Sequence, residues 1–181
     1  MLSVDTYSPT AEDLHALLAD HVGHGPHELA LRLISLTPTP HRATLSTGAR
    51  VYTWCVLDAF ILAGLFRCDL RVESRPPTSA APLTAAVSGG SVHADPDYVV
   101  SFPLPRDARG AHFTEAFCPF ANLFPSVDAY RGWAAGQTRP TTAIAVGRAQ
   151  SIAAAFAGGV LSRESGGSAT PAESGCGASR R

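Results

Sequence analysis

The sequence contains no lysine, so all 14 of its basic residues are arginine. They are balanced by 15 aspartates and glutamates, which gives a formal net charge of −1 at pH 7. Chains that bind nucleic acid or anionic membranes concentrate positive charge on one surface. The charge balance therefore indicates neither nucleic acid nor a membrane as a partner.

Long hydrophobic runs are missing as well. The longest apolar stretch lies around residues 54–66 and is interrupted by Asp58. A transmembrane helix needs roughly 20 apolar residues, so this stretch is too short to span a bilayer. No basic segment followed by an apolar one opens the chain, and we therefore expect no secretory leader. Together these absences predict a soluble, cytoplasmic protein.

Cysteine is scarce: the 181 residues include four, which are Cys55, Cys68, Cys118 and Cys176. Disulfides form mainly in oxidising compartments, so a cytoplasmic chain should keep these cysteines as free thiols. Hydrophobic residues make up 45% of the chain, and the mean hydropathy is +0.08. That composition suffices for one domain with a substantial core.

Residues 1–36 predict a short helical segment. Ser8-Pro9 is a favourable helix start, with Ser8 as the capping residue and Pro9 at the first helical position, and this helix should end near Gly23. A second short apolar segment runs from Leu29 to Leu36. The pair is like part of a helix-turn-helix, but the second segment lacks the basic residues that hold phosphates. A packing role is therefore favoured over DNA binding.

Three histidines, His21, His24 and His27, follow one another at a spacing of three. Such a spacing is compatible with a metal site. The Gly and Pro residues between them indicate an exposed turn, so metal binding there is the less favoured interpretation.

Residues 37–161 alternate between strand and helix patterns. We predict a hairpin over Thr44–Val51 that turns at Thr47-Gly48, and a central helix over residues 54–66. The further strands predicted are Leu70–Ser74, Leu83–Ser88, Tyr98–Leu104 and Thr142–Val146, and the further helices are Ser126–Ala135 and Arg148–Ala157. This pattern predicts an α+β domain with a mostly antiparallel sheet and flanking helices.

The last predicted helix should stop at Gly158-Gly159, because glycine commonly ends helices. Residues 162–181 are rich in Gly, Ser and Ala and cannot bury enough apolar surface to order themselves. We therefore predict a disordered tail, which carries Cys176 without an assigned function.

The central helix joins a thiol and a carboxyl by the spacing Cys55-x-x-Asp58. A helix over residues 54–66 makes them i, i+3 neighbours on one face, with Cys55 in the first turn, where the helix dipole favours a thiolate. Asp58 enters an apolar core, and burial raises the pKa of a carboxyl. Two interpretations stay open: a reactive or metal-binding sulfur beside a protonated acid, or a small buried Cys with a capping Asp. Spacing alone favours the second.

A second cysteine lies in the aromatic stretch Phe117–Phe124. Pro119 excludes a regular strand ladder and biases Cys118 away from helical geometry. An irregular segment with three Phe and a Cys is typical either of a pocket wall or of a buried structural loop, and neither interpretation is preferred.

Four elements follow one another along the chain: Tyr52-x-Trp54-Cys55-x-Leu57-Asp58, Arg71-Val72, Phe117-Cys118, and Phe124-x-Ser126 with Trp133. In this order they resemble the alkylmercury lyase family, the organomercurial lyases of the MerB type, over roughly residues 36–161. The resemblance implies a MerB-like fold for residues 37–161. It also implies that Cys55, Asp58 and Cys118 are the catalytic residues.

The sequence departs from the family pattern at three places. Pro119 follows Cys118 where the family typically has another Cys or a polar residue, and Pro76 stands where members often carry a further, structural Cys. The region before residue 36 is shorter than the winged-helix-like domain that the family carries there. Cys68 and Cys176 match no family motif, so both are predicted to be dispensable.

The activity implied by the resemblance is protonolysis of a carbon–mercury bond, R–Hg⁺ + H⁺ → R–H + Hg²⁺, in mercury detoxification. Cys55, Cys118 and Asp58 would hold mercury as substrate and product, without an organic cofactor, and cellular thiols or a mercuric reductase would receive the Hg²⁺. The alternative is a non-catalytic thiolate module that binds mercury or another soft metal. Both require the sulfurs of Cys55 and Cys118 to approach within about 5 Å.

Overall fold

The computed structural model describes residues 7–18, 25–104 and 112–166. In these ranges the helices are α1 (Ala11–Leu17), α2 (Gly25–Leu33), α3 (Val56–Phe66), α4 (Phe113–Ala116), α5 (Val127–Ala134) and α6 (Val146–Gly166), with a short 3₁₀ turn at Cys118–Phe120. The strands are β1 (Ile34–Ser35), β2 (His41–Leu45), β3 (Arg50–Thr53), β4 (Leu70–Ser74), β5 (Leu83–Ser88), β6 (Ser91–His93), β7 (Val99–Pro103), β8 (Leu123–Phe124) and β9 (Thr141–Ala145).

The described strands form two antiparallel sheets. One has six strands in the order β1-β3-β2-β4-β5-β6, and the other has three in the order β8-β7-β9. Helices pack against both sheets, which confirms the predicted α+β class. In the described part of the chain, none of the helices has the length and apolarity needed to cross a membrane.

The hairpin of β2 and β3 turns where the sequence predicts it. Thr44 pairs with Arg50, and Gly48 has a φ of +85°, a conformation that glycine adopts without steric cost. Strand β4 alternates between buried Leu70 and Val72 and exposed Arg71, as its pattern predicts. Strand β6 was missed, because three residues beside the Gly89-Gly90 turn carry too little pattern.

Helix α3 forms the centre of the core. It is apolar nearly all round, and residues 56–63 are all buried, as expected for a helix enclosed by other elements. Its closest neighbour is α6, and a Cβ atom added to Gly64 would lie 2.7 Å from the Ala157 Cβ. The two backbones thus approach closely at a glycine. This contact fixes α3, and the residues at its start, relative to the long helix.

The predicted stop at Gly158-Gly159 is wrong, because α6 continues through both glycines to Gly166. Tertiary packing overrides their low helix propensity. Phe156 and Val160 are buried on either side of the pair, and His15 of α1 covers Gly159, where an added Cβ would lie 3.1 Å from its Nε2. The helix also occupies residues 162–166, the start of the predicted tail. Cys176 and the other residues from 167 onward lie outside the described ranges.

The amino-terminal prediction needs two corrections. The residue that caps α1 is Thr10, not Ser8: Thr10 accepts a hydrogen bond from the Asp13 N–H, and the Asp13 carboxylate accepts one from the Thr10 N–H. An acid three residues after a hydroxyl residue completes this reciprocal cap, and Ser8 has none. The second segment is helical only as far as Leu33 and then becomes β1, which pairs with β3.

Helices α1 and α2 both pack against α6, which is the packing role favoured for them. Their connection, including His21 and His24, lies outside the described residues, while His27 is in α2. The helix-turn-helix-like arrangement therefore stays a prediction.

Candidate functional site

Cys55 lies at the junction of β3 and α3. Its backbone is extended, with φ −146° and ψ 175°, and the helix begins at Val56, so Cys55 is the N-cap residue and not part of the first turn as predicted. The Thr53 hydroxyl donates to the Cys55 carbonyl at 2.9 Å. The indole N–H of Trp54 donates to the Arg32 carbonyl at 3.1 Å, which anchors the junction to α2. Cys55 itself is fully buried.

Asp58 occupies the third position of α3 and is 1% exposed. Its Oδ2 accepts a hydrogen bond from the Cys55 N–H at 2.9 Å. A carboxylate at this position satisfies a backbone donor that the helix leaves unpaired. Asp58 therefore caps the start of α3, as the capping interpretation predicts. A cap does not require burial, however, and this carboxyl is enclosed by the core.

Cys118 opens the 3₁₀ turn that follows α4 and is 3% exposed. Pro119 is tolerated here because its missing N–H is not needed at the start of a helical turn. The Cys118 Sγ lies 3.6 Å from the Asp58 Oδ2 and donates to it. The segment left open between pocket wall and structural loop is thus a 3₁₀ turn in which Cys118 is buried and Pro119 is exposed, and the Cys118 thiol faces the start of α3.

The structure brings all three predicted site residues together. One ligand atom from each of Cys55, Asp58 and Cys118 lies within 4.8 Å of the others, so the two sulfurs meet the expected separation of about 5 Å. In the described part of the chain, no other group of three histidine, cysteine, aspartate or glutamate residues has this proximity. Cys68 is half-buried and separate from the cluster.

Burial dominates the protonation of the site. It raises the pKa of Asp58 to about 7, partly offset by hydrogen bonds from the Cys55 thiol, the Cys55 N–H and the Cys118 thiol. Burial also raises the pKa of Cys55, and the pKa of Cys118 lies well above its usual value because of burial and the thiol of Cys55. The predicted thiolate at Cys55 is therefore wrong: desolvation outweighs the helix terminus. The predicted protonated carboxyl agrees with the raised pKa.

Sequence reasoning missed the residues that hold the Cys118 turn. Ser101 of β7 donates to the Phe120 carbonyl at 2.6 Å, and the Asn122 side chain donates to the Pro119 carbonyl at 2.9 Å. Arg139 donates to the carbonyl of Ala116 at 3.0 Å. No local sequence motif identifies these three side chains. The hydrogen bonds of Ser101 and Arg139 join residues 19 and 23 positions apart.

An apolar groove of about 540 Å³ is lined by residues that precede each of the two cysteines in sequence. Trp54, which precedes Cys55, lines it together with Phe113 of α4 and Ile34 and Leu36 from the start of the large sheet. Trp54 is 37% exposed and Leu36 is 98% exposed. The buried thiols thus lie close in sequence to a surface that suits an apolar organic group.

Two thiols and one carboxyl form a donor set with a defined chemical preference. Sulfur ligands select soft metal ions, and mercury(II) is among the softest. The carboxyl adds a proton donor or acceptor in direct contact with one thiol. The arrangement can therefore bind a soft metal and move a proton at the same place.

Comparison with known proteins gives one consistent family. A family model described as alkylmercury lyase matches residues 34–158. An alkylmercury lyase of Streptomyces lividans is 30% identical over 101 residues, which cover 55% of this chain and 46% of the relative. One of Pseudomonas putida is 30% identical over 102 residues, which cover 56% and 47%. The chain thus spans about half the length of the curated relatives it matches.

The fold is similar to that in a crystal structure of the mercury-bound form of MerB2, with a TM-score of 0.57 and 21% sequence identity. The match covers 68% of this chain and 62% of that chain. At this identity the likeness concerns the fold alone. The family match, which spans most of the resemblance predicted for residues 36–161, carries the assignment: the chain belongs to the alkylmercury lyase family.

Proposed function

We propose that this protein cleaves the carbon–mercury bond of organomercurials by protonolysis, with Cys55, Cys118 and Asp58 as its catalytic residues. The observation that carries the proposal is the buried cluster of two thiols and one carboxyl, whose ligand atoms lie within 4.8 Å. Thiols supply the soft ligands for mercury, and the carboxyl supplies the proton.

In the first step, the Cys55 thiol displaces the ligand X from R–Hg–X. A Cys55–mercury bond forms, and the thiol proton leaves with X as HX. The carboxylate of Asp58 then takes the proton of Cys118, whose sulfur lies 3.6 Å from its Oδ2, and the freed thiolate binds the same mercury. Two sulfur donors increase the electron density on the mercury-bound carbon.

In the second step, the Asp58 carboxyl protonates that carbon while the carbon–mercury bond breaks. R–H leaves, Hg²⁺ remains on the two thiolates, and Asp58 is again a carboxylate. The two thiol protons are accounted for, one in HX and one in R–H. A carboxyl with a pKa of about 7 suits both halves of this exchange, since it accepts and donates a proton near neutral pH.

The remaining partners follow from the chemistry of the product. Hg²⁺ on two thiolates is removed by exchange with other thiols, so cellular thiols or a mercuric reductase would receive it in a detoxification route in the cytoplasm. The reaction needs no organic cofactor. The apolar groove beside Trp54 offers a place for the organic group as it approaches the cysteines.

A second candidate is a thiolate module that binds mercury without turnover. The observation that favours it is the coverage: the matched region spans about half of the curated relatives, so the likeness does not by itself extend their whole activity to this chain. This candidate uses the same two thiols and leaves Asp58 the structural role of accepting the hydrogen bond from the Cys55 N–H.

A single-turnover assay on Asp58→Asn separates the two candidates. Phenylmercury and methylmercury are the substrates, excess thiol is present, and bound mercury and released hydrocarbon are followed in parallel. We expect capture to persist because both thiols remain. Release should fall by about 10²–10⁴-fold, since an amide cannot supply the proton.

Asparagine accepts a hydrogen bond from the Cys55 N–H about as well as aspartate, so the start of α3 should be preserved in this variant. Release at the parental rate would assign Asp58 to the helix cap alone and would support the binding module.

A further inference from the structure

The turn that carries Cys118 has little regular structure of its own. Its backbone bonds are those of Phe120 N–H to the Phe117 carbonyl at 3.0 Å and of Ala121 N–H to the Cys118 carbonyl at 3.2 Å. Cys55, by contrast, caps an 11-residue helix and lies two residues after a strand of the large sheet. The position of the Cys118 sulfur therefore depends on contacts that the turn makes with the rest of the molecule.

We propose that Ser101, Asn122 and Arg139 are positioning residues for Cys118. They bind carbonyl groups on both sides of its sulfur and so hold it within reach of Cys55. The inference rests on one part of the proposed function, namely that Cys55 and Cys118 bind the same mercury.

Ser101 is the centre of this arrangement and is fully buried. Its hydroxyl donates to the Phe120 carbonyl at 2.6 Å and accepts from the Asn122 N–H at 2.9 Å, while its own N–H donates to the Asn122 carbonyl at 2.9 Å. Ser101 lies in the middle of β7, where it pairs with Ala143 of β9. The central strand of the small sheet thus sets the position of the turn through the hydroxyl and the backbone N–H of one residue, Ser101.

Asn122 and Arg139 hold the two flanks. The Asn122 amide, also buried, donates to the Pro119 carbonyl one residue beyond Cys118. The Arg139 guanidinium donates to the Ala116 carbonyl at 3.0 Å and lies over the Phe120 ring, 5.6 Å from its centroid. Side chains from three places in the sequence therefore bind carbonyls at residues 116, 119 and 120, on either side of Cys118.

The turn is also joined to the helix that carries the other site residues. The Val56 N–H points at the Ala121 carbonyl at 3.4 Å, and Val56 is the residue after Cys55. A shift of the turn would therefore change the distance between the sulfurs as well as the contact of Cys118 with Asp58. Partners that orient a metal ligand typically contribute about 10–100-fold to metal affinity.

The test measures mercury coordination and needs no turnover. Full-length protein carrying Cys68→Ser and Cys176→Ser, so that Cys55 and Cys118 are its remaining thiols, is loaded with one equivalent of HgCl₂. X-ray absorption, measured before any competing thiol is added, gives the number of protein sulfurs on mercury, and a later titration with dithiothreitol gives the retention of Hg²⁺. We expect Ser101→Ala to lower retention about 10–100-fold and to leave one protein sulfur on mercury, with chloride as the second ligand.

Tyr130→Phe is the matched control. Its buried hydroxyl also donates to a backbone carbonyl, that of Thr141 at 2.7 Å, in the same small sheet but away from the turn. It should keep two protein sulfurs and parental retention. If Ser101→Ala does not fold, Arg139→Ala decides the question, because Arg139 is only partly buried and its loss leaves the core intact.

Parental coordination and retention in the deciding variant would overturn the inference, and so would an equal loss in Tyr130→Phe. Failure of the proposed function looks different. The parent would then release no hydrocarbon from phenylmercury, while the HgCl₂ series would still report whether Ser101 positions Cys118.

Discussion

The thiol of Cys118 lies 3.6 Å from the Oδ2 of Asp58, although 60 positions of sequence separate the two residues. The same oxygen accepts the Cys55 N–H at 2.9 Å. One carboxylate oxygen therefore touches both cysteine-bearing segments. In the proposed reaction, this oxygen takes a proton from one thiol and delivers it beside the other.

The two buried thiols should be indispensable individually. Cys55→Ser and Cys118→Ser each leave one sulfur in the cluster, so Hg²⁺ should be held by one thiolate of the site and lost to a competing dithiol. Hydrocarbon release should be abolished. Mercury retention against dithiothreitol measures this directly.

Cys68→Ser is the matched control, because Cys68 is half-buried and lies outside the cluster. It should behave as the parent. A loss in Cys68→Ser comparable to that of Cys55→Ser would show that Cys68 also holds mercury and would contradict the assignment of the site to Cys55 and Cys118.

The sequence predicts local features of the fold well. Ser126 caps α5 as expected, since its hydroxyl accepts the Ala129 N–H at 3.2 Å, and the hairpin turns at Gly48. The errors arise where distant residues decide. Helix α6 continues through Gly158 and Gly159 because α1 and α3 pack along it, and this packing has no signature within the helix itself.

The same distinction holds for the site. Cys55 and Asp58 are three residues apart, so a helix pattern suffices to pair them. Cys118 joined them only through resemblance to a family, because no spacing rule connects residues so far apart. Ser101 had no signal at all: a serine within an apolar strand gives no indication that its hydroxyl binds a carbonyl 19 positions later.

The close approach of α3 and α6 predicts opposite effects for two glycine substitutions. Gly64→Ala places a Cβ 2.7 Å from the Ala157 Cβ, so the helices must separate, and we expect a loss of about 1–3 kcal/mol in the free energy of unfolding. Gly158→Ala meets no atom within 4 Å and should gain about 0.5–1 kcal/mol, because alanine favours a helix interior. Urea unfolding of both variants measures the difference. Stabilisation by Gly64→Ala would contradict the close packing.

His41 should make the protein less stable in acid. It is 2% exposed, its Nδ1 lies 2.9 Å from the Ser74 hydroxyl, and burial lowers its pKa from 6.5 to about 4. Between these values the unfolded chain binds a proton that the folded chain does not, so this contribution to stability is lost as the pH falls from 6.5 to 4. The slope is at most about 1.4 kcal/mol per pH unit. The free energy of unfolding of His41→Gln, measured between pH 4 and 7, should lack this slope. If the slope is the same as in the parent, His41 is not its source.

Asp58 should have the opposite effect in nearly the same window. Its pKa is raised from 3.8 to about 7 by burial, so between these values the folded protein keeps a proton that the unfolded chain has released. Its contribution to stability is therefore complete below pH 4 and lost as the pH rises to 7. Because His41 and Asp58 oppose each other, the pH profile of the parent alone cannot separate them.

The measurement is therefore the difference between the parent and Asp58→Asn in the free energy of unfolding, taken at each pH from 4 to 8 with His41 present in both. Asparagine does not titrate, and burial moves the pKa values of Cys55 and Cys118 above 9, outside this range. The stability of the parent relative to the variant should fall by up to about 1.4 kcal/mol per pH unit until pH 7 and then level off. A flat difference would mean that Asp58 ionises near its ordinary pKa. It would then be a carboxylate at neutral pH, unable to hold the proton that the proposed reaction delivers to carbon.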